Sequence, residues 1–236
     1  MTTNEIGVVD LGRRAYGDVL ELQRDLCRRR VAGALGRDLL LLVEHEPVVT
    51  LGRGTRETSL PLPRGLLTSR GVEVFEVERG GDVTLHAPGQ LVAYPIFDLS
   101  GWRRDLHWYL RQLEEVLIRG LAEVRVPAAR NPGKTGVWTA DQARKIGSIG
   151  IHVKQWVTLH GFALNVSTDL SLFELIVPCG LHGVTMTSVA RELGAGAEPD
   201  VLWPATRDAI LRGFETVFER ALVGVSEGES MVAGGR

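Results

Sequence analysis

The chain has 236 residues, 44% of them hydrophobic and 24% charged, a composition that excludes a disordered chain and suits one domain with a sizeable core. Lys and Arg total 27 against 29 Asp and Glu, a net charge of −2, so no global basic field exists to hold nucleic acid or an anionic membrane. The longest strongly apolar run, Leu39 to Val43, is far short of the roughly 20 residues of a spanning helix, and the opening Met1-Thr2-Thr3-Asn4-Glu5 carries no secretory pattern. A cytoplasmic protein with two reduced thiols, Cys27 and Cys179, is the expectation.

Along the chain, Ile6 to Leu11 reads as a strand. From Tyr16 to about Val31, the residues Tyr16, Val19, Leu20, Gln23, Leu26 and Cys27 recur at helical intervals. Cys27 therefore falls on an apolar helix face, as a small core hydrophobe. Asp38 to Glu44 is a continuous apolar run of strand length, which suits a strand covered on both sides. After a turn at His45-Glu46-Pro47, Val48 to Leu51 resumes an extended pattern, and Val72, Val74 and Val77 lie in a stretch alternating with charge. Leu91 to Phe97 is a further strand, which Pro95 demotes to an edge or irregular position.

The clearest helix runs from Leu106 to Leu121, with Asp105 as its N-cap. Asn131-Pro132-Gly133 is a turn; Val137 to Thr139, Ile146 to Val153 and Trp156 to Val166 read as strands. A second long helix is expected from about Pro204 to Leu222, with Pro204 in its first turn, followed by a flexible tail from about 224. Strands outnumber helices without alternating with them. That pattern favours a mixed-sheet α/β or α+β fold, in one domain, over a doubly wound nucleotide-binding fold.

Three segments carry chemistry. Pro178-Cys179-Gly180 frames a thiol with a rigid residue and a permissive one, which suits a nucleophile presented at a loop rim. An ordinary thiol is only a few per cent thiolate at neutral pH, so an activator is needed. His182, Lys145 or a helix N-terminus could serve; the absence of any Cys-x-x-Cys pair or histidine cluster argues against zinc. Lys145 opens a Gly-interrupted apolar strand. It is either a solvated lysine or a partly buried one facing Cys179, where its charge would favour the thiolate. Arg79 to Gln90, R-G-G-D-V-T-L-H-A-P-G-Q, has paired glycines and polar groups around them, reads as a binding loop, and lacks the spacing of a dinucleotide or Walker loop.

Taken together, R-G-G-D-V-T-L-H-A-P-G-Q-L-V-A-Y-P (79–95), G-V-W (136–138), K-I-G-S-I-G (145–150), W-V-T-L-H-G-F-A-L-N-V (156–166) and P-C-G (178–180) resemble the lipoyl(octanoyl) transferase family. Ala87 departs from the glycine usual there. The resemblance implies the fold of the lipoate- and biotin-protein ligase catalytic domains, an α/β (α+β) fold with a mixed, mainly antiparallel sheet flanked by helices in a single catalytic domain over 1–236, with Cys179 as the acyl-accepting nucleophile and Lys145 as the residue that lowers its pKa. It also implies a substrate lining from Arg79, Gly80, Gly81, Asp82, Val83, Thr84, Leu85 and His86, from Ser148, Ile149 and Gly150, and from Gly161, Phe162 and Ala163. An acyl channel along Gly147, Gly150, Phe162 and Leu164 is a further expectation.

By the same resemblance, octanoyl would pass from octanoyl-acyl carrier protein through a Cys179 thioester to a lysine of lipoyl domains. The acceptors would be the 2-oxoacid dehydrogenases and the glycine-cleavage H protein, with no cofactor, no metal, no nucleic acid and no membrane. An acidic carrier would need a basic surface, for which Arg28-Arg29-Arg30, Arg13-Arg14 and Arg103-Arg104 are the dense clusters. The competing readings are an ATP-dependent lipoate- or biotin-protein ligase of the same fold and a non-catalytic acyl-carrier-binding protein.

Overall fold

A computed structural model describes residues 5–177, 184–196 and 198–228. In chain order the elements are β1 Glu5–Arg14, α1 Tyr16–Val31, β2 Asp38–His45, β3 Val48–Leu51, α2 Arg64–Ser69, β4 Glu73–Glu76, β5 Val83–His86 and β6 Gln90–Ile96. They continue with α3 Leu106–Glu123, β7 Ala128–Asn131, β8 Lys134–Thr139, β9 Arg144–Lys154, β10 Val157–Asn165, β11 Thr185–Met186, α4 Val189–Leu193, α5 Pro199–Phe218 and β12 Ala221–Gly224.

The large sheet has the order β12-β1-β2-β6-β10-β9-β8-β7, with β11 beside β9; a small sheet has the order β4-β3-β5. Pairing is antiparallel from β2 across to β7 and parallel at β12-β1-β2, β11-β9 and β3-β4. The expected mixed, mainly antiparallel sheet is therefore what forms.

Period-two alternation sorts β2 between two cores. Leu40 and Leu42 join Leu113, Val116 and Leu117 of α3 and Ile210 and Phe214 of α5. Leu39, Leu41 and Val43 join Val19, Leu26 and Cys27 of α1. Burial of one such leucine contributes about 1.5–3 kcal/mol, which is why an unbroken apolar run marks a strand covered on both faces. In α3, the Asp105 carboxylate accepts from the Trp108 N–H and caps the helix as expected.

Pro95 is where expectation and structure part. Strand β6 is not an edge: it lies between β2 and β10, with Pro95 opposite Leu40. Pro95 has no N–H, and on its other side the ladder to β10 stops at Phe162 opposite Ala93. Counting on from that pair sets His160 opposite Pro95. Side chains supply the missing bonds: the His160 N–H donates to Gln23 Oε1 of α1 at 2.9 Å, and Thr158 Oγ1 of β10 donates to the Pro95 carbonyl at 2.6 Å. A Cβ on Gly161 would sit 2.1 Å from the Ala93 carbonyl oxygen, so only glycine lets the two strands approach there.

The second long helix also differs from expectation. It begins at Pro199, leaving Pro204 inside, and ends at Phe218, where Glu219 is left-handed at φ 54°. Pro199 takes the favoured first-turn site. Leu222 belongs to β12, which pairs with β1, and the Val225 N–H beyond it donates to the Val8 carbonyl at 2.9 Å. The arginine clusters are largely neutralised. Arg28 and Arg29 meet Asp25, Arg30 meets Asp38, Arg13 meets Glu44, Arg14 meets Glu227 and Arg103 meets Asp105. Among the described residues no helix is long and apolar enough to cross a membrane.

Candidate active site

A cavity of about 230 Å³ opens between β5, the loop before it and the adjoining parts of β9 and β10. Its floor is made of small residues in register, Ser148 opposite Ala163 and Gly150 opposite Gly161. Of the residues singled out in the sequence, Arg79, Gly81, Asp82, Val83, Thr84 and His86 line it, as do Lys145, Ser148, Ile149, Gly150, Gly161, Phe162 and Ala163. Leu85 does not line it; it packs with Val83 in the core beneath the small sheet, on the strand face opposite Thr84 and His86. The Gly80 N–H is engaged by the Ile151 carbonyl at 2.8 Å. Gly147 and Leu164, expected along an acyl channel, pair with each other on the face toward α3; a Cβ on Gly147 would meet Leu117.

Arg79 is buried, with Nη2 donating to the Thr50 carbonyl at 2.7 Å and to Thr50 Oγ1 at 2.8 Å. Strand β3 thereby fixes a guanidinium at the cavity wall. Lys145 is only 2% exposed, which removes the solvated reading. Trp138 of β8 lies beside it, with Nζ 5.8 Å from the ring centroid, and Gly136 (φ 115°) backs its side chain. The Gly136 N–H donates to Glu114 Oε1 at 3.2 Å; Glu114, fully buried in α3, is paired to Arg111 and Arg130. The G-V-W block is thus the seat of Lys145, and Glu114 is a support that the sequence reading missed.

The inner end holds a histidine–tyrosine group. His86 Nδ1 lies 2.8 Å from Gln90 Oε1, and Gln90 Nε2 donates to Asn165 Oδ1 at 2.9 Å. His86 therefore carries its proton on Nδ1 and presents Nε2 as an acceptor. Burial pushes its pKa down to about 3, with the neighbouring His45 adding to the effect. His45 Nδ1 is 2.9 Å from the Arg14 carbonyl and Nε2 is 2.9 Å from the Tyr94 hydroxyl, so Nδ1–H donates and Nε2 accepts. Burial holds His45 at about 4. Both rings are neutral at pH 7.

His160, also on the cavity, is a non-glycine residue at φ 58°. Burial lowers its pKa, while its Nε2 lies 3.7 Å from Glu78 Oε2. Glu78 is gripped through both oxygens by Arg24, at 3.1 and 2.9 Å. Contacts to His160 and Arg24 hold the Glu78 carboxyl far below the usual range. Tyr16, Tyr94, Gly133, Lys134, Thr135 and His160 complete the lining; none was singled out as a site residue from sequence.

Cys179 and His182 lie outside the described residues. The chain on either side of them is anchored to the cavity's own walls. The Val177 N–H donates to the Ser59 carbonyl at 2.9 Å, and Ser59 Oγ donates to Asp82 Oδ2 at 2.7 Å. On the far side, Thr185 and Met186 pair with Arg144 and Lys145, the Thr187 N–H donates to the Lys145 carbonyl, and Asn165 Nδ2 donates to the Thr187 carbonyl, both at 2.9 Å. Among the described residues there is no group of three side chains that could hold a metal.

The family model for the lipoyl protein ligase A/B catalytic domain matches residues 15–215. An octanoyltransferase from Koribacter versatilis is 43% identical over 221 residues, covering 92% of this chain and 86% of the relative. One from Solibacter usitatus is 50% identical over 190 residues, covering 80% and 84%. Among solved structures, a bi-partite lipoate protein ligase from Thermoplasma acidophilum, studied with its E2 lipoyl domain, superposes with a TM-score of 0.72 at 16% identity, covering 98% of this chain and 89% of that one. Lipoate-protein ligase A bound with ATP gives 0.71 at 16% identity, covering 98% and 91%. Those two likenesses show the fold; the sequence relatives carry the activity. By these matches the chain belongs to the octanoyltransferase family, acyltransferases built on the catalytic fold of the lipoyl protein ligases.

Proposed function

We propose that the protein transfers octanoyl from the thioester of an acyl carrier protein to a lysine of lipoyl domains, through a thioester on Cys179. The observation that carries this reading is a lysine buried on the wall of a cavity with a smooth, small-residue floor. A buried cation there favours a nearby thiolate, and such a floor suits a flexible acyl chain.

In the first half-reaction the Cys179 thiolate adds to the octanoyl carbonyl. The carbonyl carbon's bond to the carrier sulfur then breaks, and the departing thiolate takes a proton from the Lys145 ammonium. In the second half-reaction the acceptor amine adds to the enzyme thioester. The amine gives up a proton to Lys145, and Cys179 leaves as thiolate. Because a thioester is already activated, no ATP and no cofactor enter either step. His86 and His45, neutral and fixed in tautomer by their partners, orient the inner end of the cavity and leave proton transfer to Lys145.

Incubation with octanoyl carrier followed by intact-mass measurement tests the scheme. It requires one octanoyl per chain, mapped to Cys179 and discharged by a lipoyl domain. Octanoylation that appears only with octanoic acid and ATP would establish the adenylating alternative instead.

A further inference from the structure

We propose that Tyr16 is the end stop of the acyl channel and sets the longest chain the protein transfers; this rests on the octanoyl reading above. The cavity lining changes character from one end to the other. At one end Gly133, Lys134 and Thr135, around the β7–β8 turn, are exposed. At the other, Tyr16, Tyr94 and His86 are 2%, 3% and 6% exposed. The first is the mouth and the second is blind.

Between the ends, the floor of Ser148, Ala163, Gly150 and Gly161 presents no side chain large enough to stop an acyl chain. Lys145 and Gly150 are 150 − 145 = 5 residues apart on β9. Gly150 faces Gly161, and Tyr94 lies one strand further on. At ~3.3 Å per residue and ~4.8 Å per strand, the main chains of Lys145 and Tyr94 are about 19 Å apart. Once the side chains at both ends are allowed for, the interval holds a medium-length chain and excludes a long one.

Of the three blind-end residues, Tyr16 is the adjustable one. His86 and Tyr94 are strand residues bonded to Gln90 and His45. Tyr16 enters from the start of α1, stacks on His86 with centroids 5.8 Å apart, and has Phe75 behind it at 5.2 Å. Shortening Tyr16 lengthens the channel toward Phe75 and leaves the His86–Gln90 and Tyr94–His45 bonds in place.

The test compares acyl carrier donors of six to fourteen carbons with wild type, Tyr16→Leu and Tyr16→Ala, reading kcat/KM for each chain length divided by that for eight carbons. That ratio is independent of how much of a variant is folded. Because each added methylene in an apolar pocket is worth about ten-fold or more, the twelve-to-eight-carbon ratio should rise about ten-fold or more in Tyr16→Ala and less in Tyr16→Leu. Tyr16→Trp should lower the ten-to-eight-carbon ratio. Unchanged ratios in both shortened variants, with wild type active, would overturn the end-stop role alone. A wild-type protein that loads Cys179 with no acyl chain from any donor would overturn the octanoyl reading and this inference with it.

Discussion

A Cβ on residue 136 would stand 2.8 Å from Cε of Lys145 and 3.2 Å from its Nζ, so the glycine of β8 makes the room in which the lysine lies. At φ 115° any other residue is also strained. Gly136→Ala should cost about 1–3 kcal/mol of stability and displace Lys145, lowering kcat by about ten-fold or more. Urea unfolding and single-turnover transfer separate the two effects; a destabilised variant with wild-type kcat would show that Lys145 tolerates displacement.

Cys179→Ala and Cys179→Ser should abolish both turnover and the covalent adduct, whereas Cys27→Ala retains them. Cys27 is buried among apolar residues of α1 and β2, and burial pushes its thiol pKa up. Its truncation should cost about 1 kcal/mol or a little more, as loss of a small buried group. An adduct mapped to Cys27 would reverse the assignment.

Lys145→Met should slow alkylation of Cys179 at neutral pH and move its pH profile upward, since a nearby cation is removed. Lys145→Arg should preserve part of the thiolate but fail in proton transfer, because a guanidinium does not deprotonate in proteins. The thiol profile of each variant, set beside its transfer rate, distinguishes charge from base; an unmoved profile in Lys145→Met would point to another activator.

The two buried histidines make stability depend on pH. Their folded-state pKa values, about 4 for His45 and about 3 for His86, lie below the ordinary 6.5. As pH falls below about 6.5, the unfolded chain binds protons that the folded protein refuses. Stability is therefore full above that pH and declines as it drops toward 4, by about 3 kcal/mol for His45 alone. Unfolding free energies from pH 7 to pH 5 should fall steeply in wild type and less so in His45→Gln. Parallel slopes would assign the pH dependence to other groups.

What could be read from sequence follows from how local each feature's causes are. The cap at Asp105 and the apolar stripe of α3 are settled within one helix, and the two-sided burial of β2 within one strand. Pro95 was misread because its compensation comes from Gln23 and Thr158, distant in sequence. The burial of Lys145 depends on β8, and that of Glu114 on Arg130; the residue pattern alone leaves Lys145 between a solvated and a partly buried position and gives Glu114 no role. Tyr16 registers as one more apolar helix position, and only the packing of α1 on β10 and β6, which sets its first residue beside Phe75 of β4, brings it to the cavity.

Strand β12 closes the open side of β1, with Glu5, Ile6, Gly7 and Val8 opposite Ala221 to Gly224. Without those four residues, β1 would present a row of unpaired amides and carbonyls beside Ile6, a core residue with no exposure, which is a template for association with another chain. A chain ending at Glu219 would keep every cavity residue and yet be prone to strand-to-strand self-assembly. Strand β12 therefore shields the edge of β1 as well as completing the sheet.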